Sequence, residues 1–107
     1  MNDWYCDEAI SGRTALTFIL DTPTVLAHYH TRPAYRIHIV VYPRKHIASL
    51  TDVDLDDEPI VSEVISVVRA LAVLVESEHG AARIITNLGA YQESKHLHFH
   101  VVSGDRL

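Results

Sequence analysis

A heptapeptide near the C-terminus constrains this chain more than any other feature. It reads His96-Leu97-His98-Phe99-His100-Val101-Val102, with histidine at every second position and apolar residues elsewhere. Successive side chains of a β-strand point to opposite faces, so this alternation places three imidazoles on one face and an apolar row on the other. A strand that is merely half-exposed has no need of imidazoles at this period. The segment therefore predicts a strand whose histidine face carries out chemistry.

Metal binding is the main alternative use of such a row. With a rise of about 3.3 Å per residue, His96 and His100 start ~13 Å apart at their Cα atoms, too far for both rings to ligate one ion without bending the strand. Neighbouring pairs in the row can still share an ion. The spacing favours a catalytic arrangement, in which one imidazole attacks or takes a proton while others orient it or stabilise charge.

Length, charge and hydropathy limit the class of protein. A length of 107 residues predicts a single domain over residues 1–107 with a modest core. The hydrophobic content of 48% is ordinary for a globular protein. The formal charge of −5 and the scattered basic residues disfavour binding to a nucleic-acid polymer. The longest apolar run, Ala70–Val75, is far shorter than the ~20 residues that span a bilayer. Because Met1–Tyr5 also lacks the features of a secretory signal, we expect a cytoplasmic protein with no membrane partner.

The distribution of apolar residues predicts an α+β fold. After a short helix or turn at 2–14, strands are expected at 15–20, 25–30, 38–42, 83–87 and 96–102. Between the third and fourth strands, apolar residues recur at helical steps from 61 to 75, with Asp56 or Asp57 as the N-cap, Pro59 in the first turn and Gly80 as the C-cap. We therefore expect an antiparallel sheet of about five strands with one long amphipathic helix on one face.

The heptapeptide resembles a known family signature. It matches, at every position, the pattern His-φ-His-φ-His-φ-φ of the histidine-triad (HIT) superfamily, in which φ is apolar. Residues 38–47, HIVVYPRKHI, resemble the family's earlier strand, where a histidine opens an apolar run that ends in Pro-Lys-Lys-His-Ile. Asn87 and Gln92 lie where that family keeps an Asn and a Gln. The resemblance covers roughly residues 5 to 104 and implies a HIT-like fold.

This resemblance also implies an activity and a role for each triad residue. Proteins of the Hint-like kind bind purine nucleotides and cleave a substituent from the α-phosphorus, as in a nucleoside phosphoramidate, through a nucleotidyl-histidine intermediate. The implied nucleophile is His98, at the centre of the row. His100 would hydrogen-bond a phosphate oxygen or the leaving group, and His96 would support the tautomer and position of His98. His38 would lend support from the adjacent strand.

The same resemblance implies a phosphate and sugar site. The side chains expected to bind the nucleotide are Asn87, Gln92, Ser94 and His30. At the position of His30 the family commonly has an Asp or Asn that contacts the ribose. Tyr91 and Glu93 stand where the family often has Gly and Ser, and a carboxylate beside a phosphate would repel it.

No cofactor is expected to be required, although zinc remains an alternative. Asp3 and Cys6 have the spacing at which some bacterial relatives keep two cysteines of a structural zinc site, so Cys6, His38 and His96 form the candidate zinc set. The expected partners are a small-molecule nucleotide and a second copy of the chain, which would pair through the helix at 59–79 and a neighbouring sheet edge. Three other functions stay open: hydrolysis of dinucleoside polyphosphates, nucleotide-dependent regulation with little turnover, and a zinc-stabilised interaction module.

Overall fold

The computed structural model describes residues 3–12 and 16–107. The expectations that fall on Asn2 and on residues 13–15 lie outside the described residues. In chain order the elements are a short π-helix (Tyr5–Ile10), β1 (Phe18–Asp21), β2 (Val25–Tyr29), β3 (Tyr35–Pro43), α1 (Glu58–His79), β4 (Arg83–Ile85) and β5 (Phe99–Arg106). Short 3₁₀ turns at Leu55–Asp57 and Gly89–Tyr91 precede α1 and follow β4.

All five strands form one antiparallel sheet in the order β1-β2-β3-β5-β4. The central strand is β3, which pairs with β2 on one side and β5 on the other. Its register places Val40 opposite His100 and His38 opposite Val102, after an irregularity between Tyr35 and Ile37. The predicted α+β architecture of about five antiparallel strands and one long helix is confirmed.

The helix packs against one face of the sheet and forms the main core. Ile39 and Val41 of β3 face the helix, together with Leu97, Phe99 and Val101 of the C-terminal segment. The helix contributes its buried stripe, which consists of Val61, Val64, Val68, Leu71 and Val75. Full burial of one such aliphatic side chain stabilises the fold by about 1.5–3 kcal/mol. This core takes up Leu97, Phe99 and Val101 of the histidine row and leaves the imidazoles on the opposite face.

The opposite face of the sheet is only partly covered. The π-helix packs Tyr5 and Ala9 on Leu26, Val40 and Tyr42, which form a second and smaller core. Antiparallel sheets commonly keep one face on the core and one face accessible, and here the accessible part lies beside the π-helix. His38 of β3 and His98 and His100 of the triad therefore share a surface that a ligand can reach, whereas His96 is fully buried.

The two ends of α1 are capped in different ways. Asp57 occupies the N-cap position, but its carboxylate makes no cap hydrogen bond and instead accepts one from Lys45 Nζ at 2.6 Å. The expected N-cap at Asp56 or Asp57 is confirmed at Asp57, although the Lys45 ammonium holds its carboxylate. Pro59 lies in the first turn, and Gly80 ends the helix in the left-handed conformation at φ 81°.

The C-terminal strand begins later than its sequence pattern predicts. β5 starts at Phe99, so His96 and His98 lie in the segment just before it rather than inside the ladder. Leu97 N–H donates to Ile47 O at 2.6 Å and Thr86 Oγ donates to His98 O at 2.8 Å, and these bonds replace strand pairing there. In residues 3–12 and 16–107, no helix has the length and apolar character needed to cross a membrane.

Candidate active site

A cavity of about 620 Å³ opens on the sheet face that α1 does not cover. Six of the residues expected at the site line it: His30, His38, Asn87, Ser94, His98 and His100. Two do not, because the rings of His96 and the amide of Gln92 point elsewhere in the structure. The cavity therefore brings together side chains from β2, β3, β5 and the loop before the triad. All of the expected site residues except His96 and Gln92 are among them.

The tautomer of His98 is set by a backbone carbonyl. Its Nδ1–H donates to His96 O at 2.6 Å, and a carbonyl can only accept, so the proton of the neutral ring sits on Nδ1. The Nε2 atom consequently carries a lone pair. Burial lowers the pKa of His98 below its ordinary value, so the ring is neutral near pH 7. The residue offers an unprotonated nitrogen beside the cavity.

A second chain of hydrogen bonds sets the tautomer of His100. Ala34 N–H donates to His38 Nδ1 at 2.9 Å, so the proton of the neutral His38 ring sits on Nε2. That Nε2–H donates to His100 Nδ1 at 2.8 Å, and the proton of His100 is therefore on its Nε2. Burial and neighbouring imidazoles lower the pKa of His38 to about 4 and that of His100 to about 3. His100 thus provides a neutral N–H donor next to the lone pair of His98, with ring centroids 5.1 Å apart.

His30 joins this cluster from the end of β2. Its Nδ1 accepts the Arg32 backbone N–H at 2.9 Å, which leaves the proton of the neutral ring on Nε2. Burial lowers the pKa of His30, with help from the nearby imidazoles of His28 and His98. Its ring centroid lies 4.4 Å from that of His38 and 5.9 Å from that of His100. The family resemblance places His30 at a sugar contact, and the structure brings its ring against those of His38 and His100.

The neighbouring His28 has a structural role. Its Nδ1–H donates to Tyr29 O at 2.8 Å, and its Nε2 accepts the Tyr42 hydroxyl proton at 3.1 Å. Burial lowers the pKa of His28, and both ring nitrogens are satisfied inside the protein. The period-two spacing of His28 and His30 shows only that they share a face. Both residues line the cavity, but hydrogen bonds within the protein use both ring nitrogens of His28 and only Nδ1 of His30.

Ring nitrogens of His30, His38 and His100 lie within 4.8 Å of one another, as metal ligands would. However, His38 uses one nitrogen to accept the Ala34 N–H and the other to donate to His100. A metal ion at this position would have to displace the hydrogen bond that fixes the His100 tautomer. As it stands, the arrangement uses both ring nitrogens of His38 in hydrogen bonds.

The loop before the triad brings two of the residues expected to bind phosphate to the cavity. Asn87 and Ser94 line the cavity, and Ser94 Oγ is the buried side-chain oxygen without a hydrogen-bond partner in the part of the chain that the structure describes. Gln92 does not take part, because its Nε2 donates to Ala48 O at 2.7 Å and its side chain is buried. The expectation that Gln92 binds phosphate is therefore not met by this geometry. Tyr91 and Glu93 both line the cavity, so the carboxylate does not point away from it.

The side chain of His96 belongs to a different cluster. Its Nε2–H donates to Pro43 O at 2.7 Å, and its Nδ1 faces Asp3 Oδ2 at 3.0 Å and Cys6 Sγ at 3.5 Å. His46 completes the group through Nδ1–H, which donates to Asp3 Oδ2 at 2.5 Å. His96 therefore contacts the ring of His98 through its backbone carbonyl and not through its own imidazole. Its imidazole instead attaches the N-terminal segment to the sheet.

This cluster corrects the candidate zinc set. Cys6 and His96 are adjacent as expected, but His38 lies with His30 and His100 instead. The four residues whose ligand atoms lie within 4.8 Å of one another are Asp3, Cys6, His46 and His96. The sequence offered two signals for the missed residues, namely the Asp3–Cys6 spacing and the histidine after Pro43-Arg44-Lys45. Neither signal shows by itself that the two segments meet.

The donor set of this cluster fits zinc. Oxygen, sulfur and two imidazole nitrogens are ordinary zinc ligands, and four of them make a closed structural site. A neutral imidazole has one N–H, which His96 uses on Pro43 O, so its Nδ1 can face the Asp3 carboxylate only with a second proton or a cation between them. Burial and Asp3 raise the pKa of Cys6 to about 12. Zinc held here would fasten the π-helix to the sheet and would lie outside the cavity.

The fold and this histidine arrangement define an α+β domain of the histidine-triad type, and comparison with known proteins agrees. A family model for the HIT domain matches residues 12–107. The chain belongs to the HIT family. Among curated relatives, an uncharacterised HIT-like protein of Chlamydia muridarum is 33% identical over 76 residues, which cover 70% of this chain and 60% of that protein.

Solved structures extend the likeness to the whole fold. A histidine triad protein from Clostridium difficile is 32% identical, with coverage of 100% of this chain and 94% of that one and a TM-score of 0.81. A HIT family hydrolase from Legionella pneumophila is 26% identical, with coverage of 98% and 95% and a TM-score of 0.83.

Proposed function

We propose that this chain is a purine nucleotide-binding hydrolase or nucleotidyl transferase that acts at the α-phosphorus of a nucleoside phosphoramidate or a similar AMP conjugate. The observation that carries the proposal is the tautomer of His98, whose Nδ1–H bond to His96 O leaves a lone pair on Nε2 beside the cavity. A neutral imidazole in that state is a nucleophile near pH 7. The Legionella relative described as a HIT family hydrolase supports the same class of reaction.

The first step follows from the two fixed tautomers. His98 Nε2 attacks the α-phosphorus, a P–N bond forms to the imidazole, and the bond from phosphorus to the leaving group breaks. His100 Nε2–H donates a hydrogen bond to the phosphate oxygen that gains charge or to the leaving atom, and the leaving atom takes its proton from solvent water as it departs. His38 holds His100 in this state and acts through it, without contacting the ligand in the proposed step.

In the second step a water molecule attacks the phosphorus of the nucleotidyl-histidine intermediate. A P–O bond forms to the water oxygen, the P–N bond breaks and AMP leaves, while one proton of the water passes to solvent and the His98 lone pair is restored. Transfer to another acceptor alcohol or amine would use the same intermediate. The Ser94 hydroxyl and the Asn87 amide are the polar groups of the loop that can hold phosphate oxygens in both steps, and the unpartnered Ser94 Oγ supports this use.

No step in this scheme is assigned to a metal. The nitrogens of His98 and His100 that act on the ligand are set by the backbone carbonyl of His96 and by the ring of His38. The Asp3, Cys6, His46 and His96 cluster uses the ring of His96 and not this carbonyl. We therefore propose that turnover requires no cofactor, whether or not the cluster binds zinc.

We also propose that the chain forms a homodimer through α1 and the β4 edge of the sheet. Val73 and Leu74 of α1 and Ile84 of β4 are large apolar residues that remain 63%, 55% and 50% exposed. β4 is an edge strand, which can extend the sheet into a second copy. Burial of this surface would supplement the modest core of a chain this short.

The covalent intermediate is the direct test of the proposed chemistry. The protein is mixed with a slight excess of an AMP amide or an activated AMP ester, quenched at short times and examined by intact-protein mass spectrometry. We expect the mass of one AMP to be added and then lost as free AMP appears. Nucleotide binding without an adduct would instead support a regulator with little turnover, and faster reaction with diadenosine polyphosphates would support the alternative hydrolase.

A further inference from the structure

One part of the cavity wall carries positive charge that the proposed reaction does not use. Arg32, in the loop after β2, and Arg106, at the end of β5, both line the cavity. Within the part of the chain that the structure describes, no carboxylate lies within ion-pair distance of either guanidinium. By contrast, Arg44 pairs with Asp21. Two guanidinium groups without a carboxylate partner at one cavity, in a chain of formal charge −5, point to an anionic ligand group.

The backbone places Arg106 beside the start of β3, which the loop with Arg32 leads into. Tyr35 pairs with Arg106 across the β3–β5 ladder, and the Arg106 guanidinium carbon lies 6.0 Å from the centre of the Tyr35 ring. Arg32 lies three residues before Tyr35 in the loop that leads into β3. Thr31, Ala34 and Tyr35 line the same wall.

His30 adds a neutral donor to this wall. Because its Nδ1 accepts the Arg32 N–H, the neutral ring can only donate through Nε2 and cannot accept there. A hydrogen-bond donor beside two guanidiniums complements a group that is rich in acceptors, such as a phosphate, sulfate or carboxylate. Glu93 also lines the cavity and contributes one negative charge, but Arg32 and Arg106 contribute two positive charges.

The position of this wall relative to the reaction centre makes it part of the same ligand site. The rings of His30 and His100 are stacked at 30° with centroids 5.9 Å apart. An anion held by Arg32, Arg106 and His30 would therefore lie one group away from the phosphate that His98 and His100 address. A single nucleotide conjugate with two separate anionic groups can occupy both positions.

We propose that Arg32, Arg106 and His30 form a second anion subsite, which selects AMP conjugates that carry an additional anionic group besides the α-phosphate. This inference rests on the proposed function for the identity of the nucleotide. Two parts of the substrate can supply the anion, namely a phosphate on the ribose or an acidic leaving group. A charge-assisted, bidentate contact to arginine gives roughly a 10- to 100-fold gain in affinity.

The first arm of the test measures equilibrium binding and does not depend on turnover. Isothermal titration calorimetry compares AMP with adenosine 2′,5′-bisphosphate and adenosine 3′,5′-bisphosphate on the native chain, on the double variant Arg32→Gln/Arg106→Gln and on the control Arg83→Gln. Arg83 is exposed at the start of β4 and does not line this cavity. If the ribose supplies the anion, the native chain and the control prefer a bisphosphate by about 10-fold or more, and the double variant loses that preference.

The second arm addresses the leaving group. It compares kcat/KM for AMP amides of glycine and of glycine methyl ester, which differ in one carboxylate. If the leaving group supplies the anion, the native chain and Arg83→Gln prefer the free acid by about 10-fold or more, and the double variant does not.

The two arms separate failure of the subsite from failure of the proposed function. Absence of a preference in both arms, or a preference that persists in the double variant, would overturn the subsite. If no AMP conjugate is turned over and no adduct forms, the proposed reaction fails. The binding arm then decides the subsite alone, and equal affinity for AMP and the bisphosphates overturns it.

Discussion

Replacement of His98 by alanine is the perturbation that tests the proposed mechanism most directly. In the native chain this ring is 7% exposed, lies 4.7 Å from the Tyr5 ring between centroids and donates to His96 O. Alanine removes the Nε2 lone pair but leaves the Ser94, Asn87 and His100 groups that would bind the nucleotide. We expect turnover to fall on the order of 10³-fold or more, which corresponds to at least ~4 kcal/mol in the activation barrier.

The substitution also has a cost in stability that can be bounded from the same contacts. Alanine leaves the buried His96 carbonyl without its donor, which costs about 1–3 kcal/mol of unfolding free energy. A second variant, His98→Asn, keeps a polar side chain at the site but still lacks the imidazole lone pair. Thermal melts of both variants separate a loss of folded protein from a loss of chemistry.

The assay is single-turnover reaction with an AMP amide, followed by intact-protein mass spectrometry and by release of AMP. Both His98 variants should bind AMP with little change and form no adduct. His100→Ala should lose about 10²-fold in rate because it removes one donor to the developing charge, and His38→Ala should lose less because it acts only through His100. An adduct that persists in His98→Ala and disappears in His100→Ala or His96→Ala would refute the assignment.

Three further predictions concern pH, metal and assembly. In the folded chain, burial lowers the pKa of His38 from 6.5 to about 4 and that of His100 from 6.5 to about 3. Between about pH 6.5 and pH 3, the unfolded chain therefore binds more protons than the folded chain. The contribution of these two groups to stability is thus fully present above about pH 7 and decreases as the pH falls from about 6.5 toward 3. Thermal melting temperatures that stay constant over this range would contradict the neutral state of the His38 and His100 rings. Turnover should survive exhaustive chelation because the pocket-facing nitrogens lie outside the Asp3 cluster, and activity that is lost with chelator and restored by zinc would contradict this prediction. Sedimentation of the native chain at ~10⁻⁵ M should show a dimer. Val73→Glu or Ile84→Glu should convert it to a monomer, whereas Thr51→Glu, in an exposed loop, should not. A stable native monomer would argue against the interface.

The alternation of the triad was sufficient to predict which side chains share a face. Period two places Leu97, Phe99 and Val101 in the main core and sends the three imidazoles to the other side, as the structure shows. The long helix was equally accessible, because its buried residues recur at helical spacing and Gly80 marks its end. These features depend on local periodicity, which a sequence displays directly.

The partners of each imidazole depend on long-range contacts and could not be predicted in the same way. Alternation treats the three triad histidines alike, yet His98 meets a carbonyl, His100 meets His38, and the ring of His96 meets Asp3, 93 residues away in sequence. Gln92 was expected at the phosphate from its position in the chain. The Ala48 carbonyl, 44 residues distant, holds its amide instead.

The hydrogen bond between His38 and His100 also couples catalysis to the order in which the chain folds. It joins residues 62 apart in sequence and can form only when β3 and β5 pair in the correct register. Contacts between residues so far apart in sequence require a large loop to close, so helix α1 and the β1–β2 hairpin can form before the His38–His100 hydrogen bond. A slip of one residue between β3 and β5 would present Ile37 or Ile39 to the triad face and leave a folded but inactive sheet. During refolding, recovery of turnover therefore reports the closure of the central strand pair, whereas circular dichroism reports mainly the helix.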